Sequence, residues 1–317
     1  MIRSFANTGG QLSGPNEDIS NALWLDLLNP EREEEKAVEA LLGLEIPTRE
    51  EMEEIEISSR LYLEGVGAYM TAVLPAHADG DDPAMAPVSF VLTPEVLVTV
   101  RYHEPRAFVS FPPHAERTGA EMPDAESVLV ALIEAIVDRL ADILERAARE
   151  IDVISRRIFR PSKEQSRDNP KTLEEIGRKG DLTSNIRDSL LTLERLASFL
   201  GQVTVQRKST KELRDRVKTL SRDIRSLLDH AGFLSQKVTF LLDATLGMIN
   251  IEQNAIIKIF SVAAVIFLPP TLIASIYGMN FEHMPELGWM LGYPFAIGLM
   301  IVSATLPYAF FKRRGWL

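Results

Sequence analysis

Tyr277-Gly278-Met279-Asn280-Phe281-Glu282-His283-Met284-Pro285-Glu286-Leu287 separates two apolar runs, 256–276 and 291–311. At a rise of about 1.5 Å per residue, each run is long enough to cross a hydrocarbon core of roughly 30 Å. Two crossings joined by so short a connection form a hairpin. The connection carries Glu282 and Glu286 but no Lys or Arg, whereas the second run ends in Lys312-Arg313-Arg314. The positive-inside rule places the C-terminus in the cytoplasm and the connection outside, so residues 1–255 are expected to be cytoplasmic as well.

The 317-residue chain has a formal net charge of -11 and no cysteine. No basic stripe is available to neutralise phosphates, which argues against a nucleic-acid partner, and the acidic balance suits a surface that meets cations. Without cysteine there is no disulfide, thiolate zinc site or cysteine nucleophile. Residues 1–10 hold no apolar segment of the signal-peptide kind, so membrane insertion is expected to rest on the C-terminal runs. The five histidines, His77, His103, His114, His230 and His283, are scattered without ligand spacing, and no phosphate-cradling loop is present. An enzyme is therefore the least favoured class.

Residues 1–123 read as a mixed α/β unit. The run 21–27 predicts a buried strand that stops at Asn29-Pro30, with Pro30 in the first turn of a helix over 31–42. A second helix is predicted over 48–57, where Thr48 caps and Glu51 completes a capping box. Two hairpins of one sheet follow over 61–74 and 88–102, with turns at Gly65-Val66-Gly67 and Thr93-Pro94-Glu95 and an exposed loop at 79–83. The next unit, 124–207, is a helical hairpin: apolar residues keep helical spacing over 127–159, and a second helix runs over about 172–206 beyond a polar linker at 161–170. A third helix starts near Ser209 and meets no proline before Pro269. Continued to Tyr277 it measures about 100 Å, so 208–277 is expected to be stalk and first span in one piece, with the membrane part at about 256–276. An external loop (278–290), a second span (291–311) and a basic cytoplasmic tail (312–317) complete the chain.

Stepping alternately four and three residues from Asp243 selects Asp243, Gly247, Asn250, Asn254, Ile257, Ser261, Ala264, Leu268, Thr271 and Ser275. This is the interval of a heptad seam, yet most of its members are small or polar where a coiled coil places large aliphatics. The bulk lies on other faces, at Ile249, Ile256, Ile259, Phe260 and Phe267 among others. Two readings fit the seam. Small residues let membrane helices approach closely; alternatively, several copies ring an aqueous channel in which amides, hydroxyls and a carboxylate replace water. Asp243, Asn250 and Asn254 continue the polar face below the span, where packing does not need them. One hairpin has too few spans to enclose a pore, so the channel reading requires an oligomer.

The motif Tyr277-Gly278-Met279-Asn280 with Met284-Pro285-Glu286-Leu287, together with Ile249-Asn250-Ile251-Glu252-Gln253-Asn254, Phe267-Leu268-Pro269-Pro270-Thr271, Gly292-Tyr293-Pro294 and Gly315-Trp316-Leu317, resembles the CorA family of magnesium transporters. The likeness is strongest over 249–317 and points to the enterobacterial magnesium and cobalt branch. It implies a funnel-shaped homopentamer in the bacterial inner (plasma) membrane: an α/β cytoplasmic domain, long helices, and a two-helix transmembrane hairpin whose first span lines the pore and whose second faces lipid. The pore positions it implies are Asp243, Asn254, Ile257, Phe260, Leu268, Thr271 and Asn280, with Gly278, Met279 and Asn280 as the selectivity motif at the external mouth. All but Phe260 lie on the seam or in the motif, and Phe260 is one position off.

The resemblance implies Mg2+ as cargo, with Co2+ and Ni2+ as possible further substrates. Mg2+ sheds its octahedral waters reluctantly, so a ring of Asn280 amides is expected to accept hydrogen bonds from the hydrated ion, with Glu282 and Glu286 raising the local cation concentration. Below it, Thr271 offers a second polar ring, Leu268, Phe260 and Ile257 an apolar constriction that gates by dewetting, and Asp243 an acidic inner end. Lys258 with Lys312, Arg313 and Arg314 is expected to form a basic collar, or simply to anchor the chain at the inner face. A divalent ion gains roughly 4.6 kcal/mol per 100 mV of inside-negative potential, so ATP is not needed. Residues 31–56 hold eleven acidic side chains, and the stalk carries Glu212, Asp215, Asp223 and Asp229. These form a solvated acidic face, or regulatory ligands through which intracellular Mg2+ bridges neighbouring subunits and favours the closed state; Glu54 against Asp215 or Asp223 is the pair expected there. The rival readings are a zinc transporter of the related ZntB type and a non-transporting, membrane-anchored assembly or sensor protein. Met279 and the Met284-Pro285-Glu286-Leu287 loop favour magnesium.

Overall fold

In the computed structural model, which describes residues 1–16, 18–80, 82–159, 169–280 and 284–315, but not the side chains of Glu286 and Leu287, the chain divides into units Met1–Leu242 and Asp243–Leu317. Most of the predicted polar linker, Glu282 of the connection, and Trp316 and Leu317 lie outside the described residues.

The first unit is built on β1 (Ile2–Thr8), β2 (Gln11–Asn16), β3 (Trp24–Leu28), β4 (Leu61–Glu64), β5 (Gly67–Ala76), β6 (Ala84–Leu92) and β7 (Leu97–Arg101). They form one sheet in the order β2-β1-β3-β7-β6-β5-β4, with β3 and β7 parallel and the other neighbours antiparallel. Alternation along β3 and β7 separates two chemistries. Leu25 and Leu27 register with Val98 and Val100 and share a buried cluster with Val38 of α1 (Arg32–Leu42) and Met52 of α2 (Arg49–Glu53). The opposite face carries Trp24, Asp26, Thr99 and Arg101. There Trp24 stacks on Phe5 at 4.5 Å and meets Phe111 of α4 (Arg106–Thr118) at 5.9 Å.

Arg101 and Asp26 are fully buried and joined by two hydrogen bonds, Nε to Oδ1 at 2.9 Å and Nη2 to Oδ2 at 2.7 Å. Thr99 Oγ1 donates to the same carboxylate at 2.9 Å and accepts from Trp24 Nε1 at 3.0 Å. The guanidinium lies 4.7 Å from the Phe108 ring. A buried ion pair gains little net stability, but each partner makes the other tolerable there.

Several predicted boundaries move. The capping box is present, with Glu51 N donating to Thr48 Oγ1 at 3.3 Å and Thr48 N to the Glu51 carboxylate at 2.8 Å. The helix it opens nonetheless stops at Glu53, and a separate turn, α3 (Ile57–Arg60), follows. Glu53, Glu54 and Glu56 crowd negative charge at the end where the helix dipole is already negative. Pro30 lies outside α1, whose N-cap is Glu31. The β4–β5 turn closes on Gly65 and Val66, since Glu64 pairs with Gly67, and Gly65 takes the positive φ of 57° at the first central position. Helix α4 had no sequence signal because Pro112 and Pro113 sit inside it.

Three helices complete the unit: α5 (Ala125–Phe159), α6 (Asn169–Gln206) and the stalk portion of α7 (Lys211–Tyr277). As α5 advances from Glu150 to Arg157, its ionic partners on α6 step back from Lys179 to Glu175, which makes the two antiparallel. On α6 and α7, Glu194 pairs with Arg225 and Gly180 lies against Val238, again antiparallel. Helix α6 ends in a Schellman motif: Lys208 takes φ 56°, its N–H reaches Val205 O at 3.1 Å, and Ser209 N–H reaches Thr204 O at 3.0 Å. Arg207 then ties the reversal to the sheet through the carbonyls of Val66, Leu92 and Thr93.

In the second unit, α7 continues without interruption to Tyr277, a 3-10 turn spans Pro285–Gly288, and α8 covers Gly292–Arg313. Both helices are long and apolar enough to cross a membrane, and the most apolar stretch of each is almost wholly exposed in the single chain. A core helix of a soluble protein would be buried; exposed apolar surface of this extent calls for lipid or partner helices.

Candidate ion pathway

Helix geometry sorts the membrane part of α7 into two faces. From 254 to 277, the residues shielded within the chain are Val262, Ala263, Ile266, Pro269, Pro270, Ile273 and Tyr277. At roughly 100° per residue they fall on one arc, and Ile257, Ser261, Ala264, Leu268, Thr271 and Ser275 lie roughly opposite. All ten residues of the seam, from Asp243 to Ser275, are exposed. The seam is thus an open stripe of small and polar side chains, not the contact face of its own hairpin. Phe260 flanks this stripe and is 71% exposed.

The chemistry along the stripe follows from the backbone. Pro269 and Pro270 have no N–H to return to the carbonyls of Val265 and Ile266. One residue on, Thr271 Oγ1 donates to the Phe267 carbonyl at 2.7 Å, which orients the hydroxyl and leaves its oxygen lone pairs to accept hydrogen bonds. At the end of the helix, Gly278 N–H reaches Ala274 O at 3.0 Å and Met279 N–H reaches Ile276 O at 3.3 Å. A Cβ on Gly278 would lie 3.1 Å from the Ala274 carbonyl oxygen, so a side chain here would push against the last turn. Met279 and Asn280 follow, both exposed.

The remaining candidates are dispersed. Glu286 lies in the 3-10 turn, and Glu282 is outside the described residues. Lys258 follows Ile257 by one residue, so it leaves the helix about 100° from it. Lys312 and Arg313 occupy the last turn of α8, with Lys312 5.9 Å from the Tyr308 ring and Arg314 5.4 Å from that of Phe310.

In the first unit, Glu54 forms the C-cap of α2, and it and the α7 residues Asp215 and Asp223 are exposed. Asp223 belongs to an acidic patch: with burial as the larger cause, the charges of Glu134, Asp142 and Asp223 push the Asp138 carboxyl above its ordinary value. Among the described residues, no group of three or more His, Asp or Glu is placed to hold a metal ion.

Comparison with known proteins adds an independent line. A family model described as CorA-like Mg2+ transporter protein matches residues 20–313. The "Magnesium transport protein CorA" of Yersinia pestis is 39% identical over 322 residues, covering 100% of both chains. That of Escherichia coli (strain K12) is 37% identical over 302 residues, 95% of this chain and 94% of the other. The complete structure of the CorA magnesium transporter from Methanocaldococcus jannaschii aligns over 100% of this chain and 99% of that one, with a TM-score of 0.72 at 19% identity. The ZntB cytoplasmic domain from Vibrio parahaemolyticus aligns over 78% of this chain and 97% of its own, with a TM-score of 0.55 at 12% identity. At such identities these two structures speak to the fold alone. From the family match and the full-length identity to its members, the chain belongs to the CorA-like Mg2+ transporter family.

Proposed function

We propose that this chain is one subunit of a homopentameric channel that admits Mg2+ to the cytoplasm across a bacterial inner membrane. The observation that carries this reading is the open stripe of α7, which leads to Asn280 and faces away from the side of the helix shielded within the chain. Five copies of that stripe enclose a path that one hairpin cannot. Both termini and residues 1–255 are cytoplasmic, and the 278–290 connection is external. Asn280 amides receive the hydrated ion, Gly278 and Met279 shape the mouth, and Glu282 and Glu286 attract cations to it. Thr271 supplies a second ring of acceptors; Leu268, Phe260 and Ile257 form the apolar gate; Asn254 and Asp243 line the inner end. The membrane potential drives entry, and Co2+ passes by the same route.

Regulation rests on Mg2+ held between subunits by Glu54 and by Asp215 or Asp223, and the closed state binds it more tightly. Lys258, Lys312, Arg313 and Arg314 anchor the inner face.

The test is Mg2+ uptake into liposomes holding the purified chain under an inside-negative potential, with Co2+, Ni2+ and Zn2+ as competitors. The expected result is saturable Mg2+ uptake that Asn280→Ala abolishes while the oligomer persists in size-exclusion chromatography. Uptake no faster than into empty liposomes, or full uptake by Asn280→Ala, would overturn the reading.

A further inference from the structure

In the first unit, about 100° around α5 from Asp138 and Asp142 of the acidic patch, the charge pattern inverts. A cleft of about 220 Å3 opens between the loop after β5, the start of α4 and the middle of α5, lined by His77, Ala78, Asp79, Arg106, Arg139 and Ile143 among others. On α5, Arg139, Ile143 and Arg146 are spaced four and three residues apart and so share one helix face. From that face Arg139 Nη2 reaches Asp79 Oδ1 at 2.5 Å, and Arg146 hydrogen-bonds the Ala78 carbonyl and stands 3.9 Å from the same carboxylate. Arg106, the first residue of α4, adds Nη1 contacts to both Asp79 oxygens at 2.9 and 2.7 Å. One carboxylate thus meets three guanidinium groups. The other acid lining the cleft, Glu104, is engaged by Arg3 at 3.3 Å.

Holding the loop in place does not call for this arrangement. A single exposed Arg–Asp pair contributes at most about 1 kcal/mol, and second and third cations add mutual repulsion. Three guanidinium forks do match an anion with more charge and more oxygens than a carboxylate. The two sides also differ in rigidity. Arg139 and Arg146 rise from a long helix and are 24% and 26% exposed, whereas Asp79 hangs from a loop and is 62% exposed. We infer that this cleft is a binding site for a phosphate-type oxyanion, with the Asp79 carboxylate holding the anion's place until it is displaced. A volume below the roughly 300–1,000 Å3 of drug-sized pockets suits phosphate or a phosphoanhydride end group. The hydrogen bond from Arg139, reinforced by the charge of Arg106, holds the Asp79 carboxyl below its ordinary pKa, as expected of a site tuned to anions. None of these residues belongs to the α7 stripe, so the inference stands apart from the transport reading.

Calorimetric titration of the full-length chain in detergent, without Mg2+ and at low ionic strength, tests the site with two probes, inorganic phosphate and pyrophosphate. Saturable binding is expected, several-fold tighter in Asp79→Asn, where the competing carboxylate is gone, and weakened about tenfold or more when Arg139 and Arg146 are both changed to Gln. Preference for pyrophosphate would identify a phosphoanhydride as the ligand, and equal affinity a single phosphate. Arg106→Gln, at a 61% exposed position, is expected to weaken binding with an unchanged thermal midpoint, and it decides the matter if the double variant unfolds. No saturable heat in either wild type or Asp79→Asn, or affinity unmoved by a folded arginine variant, would overturn the proposal.

Discussion

The Thr271 hydroxyl donates to the carbonyl of Phe267 across 2.7 Å, directly after the Pro269-Pro270 pair. The bond points the oxygen's free lone pairs away from the backbone, toward the open side of α7. Thr271→Val keeps the shape and removes the acceptor. Mg2+ uptake is expected to fall about fivefold, for a loss of about 1 kcal/mol at the ring, whereas Thr271→Ser should retain most of it. Equal uptake by the valine and serine variants in liposomes would remove Thr271 from the path.

Gly278 sits in tight space and takes no unusual φ. An added Cβ would lie 3.1 Å from the Ala274 carbonyl oxygen, so Gly278→Ala requires the last turn of α7, two residues before Asn280, to give by a few tenths of an ångström. Uptake should drop while the oligomer stays intact, as judged by size-exclusion chromatography beside the flux assay.

The Asp26–Arg101 pair calls for a stability measurement. Asp26→Ala leaves Arg101 charged, buried and unpaired, and should cost about 3–5 kcal/mol, lowering the thermal midpoint by roughly 10 °C. Replacing both residues by apolar side chains of similar volume should recover much of that loss. Calorimetry of the single and double variants separates the cost of an orphaned charge from the net worth of the pair.

His103 supplies a pH dependence. Its Nε2 donates to the Leu74 carbonyl at 2.8 Å, and Nδ1 is buried with no partner among the described residues. Burial, with smaller contributions from Arg101 and His77, depresses its pKa below the ordinary 6.5. Between the depressed folded value and 6.5, the unfolded chain binds more protons than the folded one, so stability rises with pH. The contribution is fully present above 6.5 and is lost as the pH falls through that window. Between about pH 7.5 and about pH 5.5 the thermal midpoint should fall less in His103→Gln than in the wild type.

How far the sequence could be read depends on the range of the forces involved. The two spans, α5, α6 and the continuous α7 were legible because each repeats one helical period over many residues. The stripe from Asp243 to Ser275 was legible for the same reason: seven-residue spacing alone puts its members on one face. Its exposure and its position opposite Val262 and Ile266 needed coordinates. Strands β1 and β2 were missed because β2 is an edge strand with Gly14 and Pro15 inside it. Asp26 and Arg101 lie 75 residues apart, and only the register of two parallel strands, through Leu25↔Val98 and Leu27↔Val100, brings them together. The Asp79 cleft joins three elements in the same non-local way.

The absence of native cysteine makes the central claim directly measurable. Single cysteines at Ser261, Ala264, Thr271 and Ser275 on the stripe, and at Ile266 and Ile273 on the shielded face, can each be challenged with a water-soluble, positively charged thiol reagent during Mg2+ uptake into liposomes. If the stripe lines the ion path, the reagent stops uptake at the stripe positions, excess Mg2+ slows the modification there, and the two shielded positions stay unaffected. Uptake that persists after complete labelling of the stripe, or equal inhibition at both faces, would contradict it.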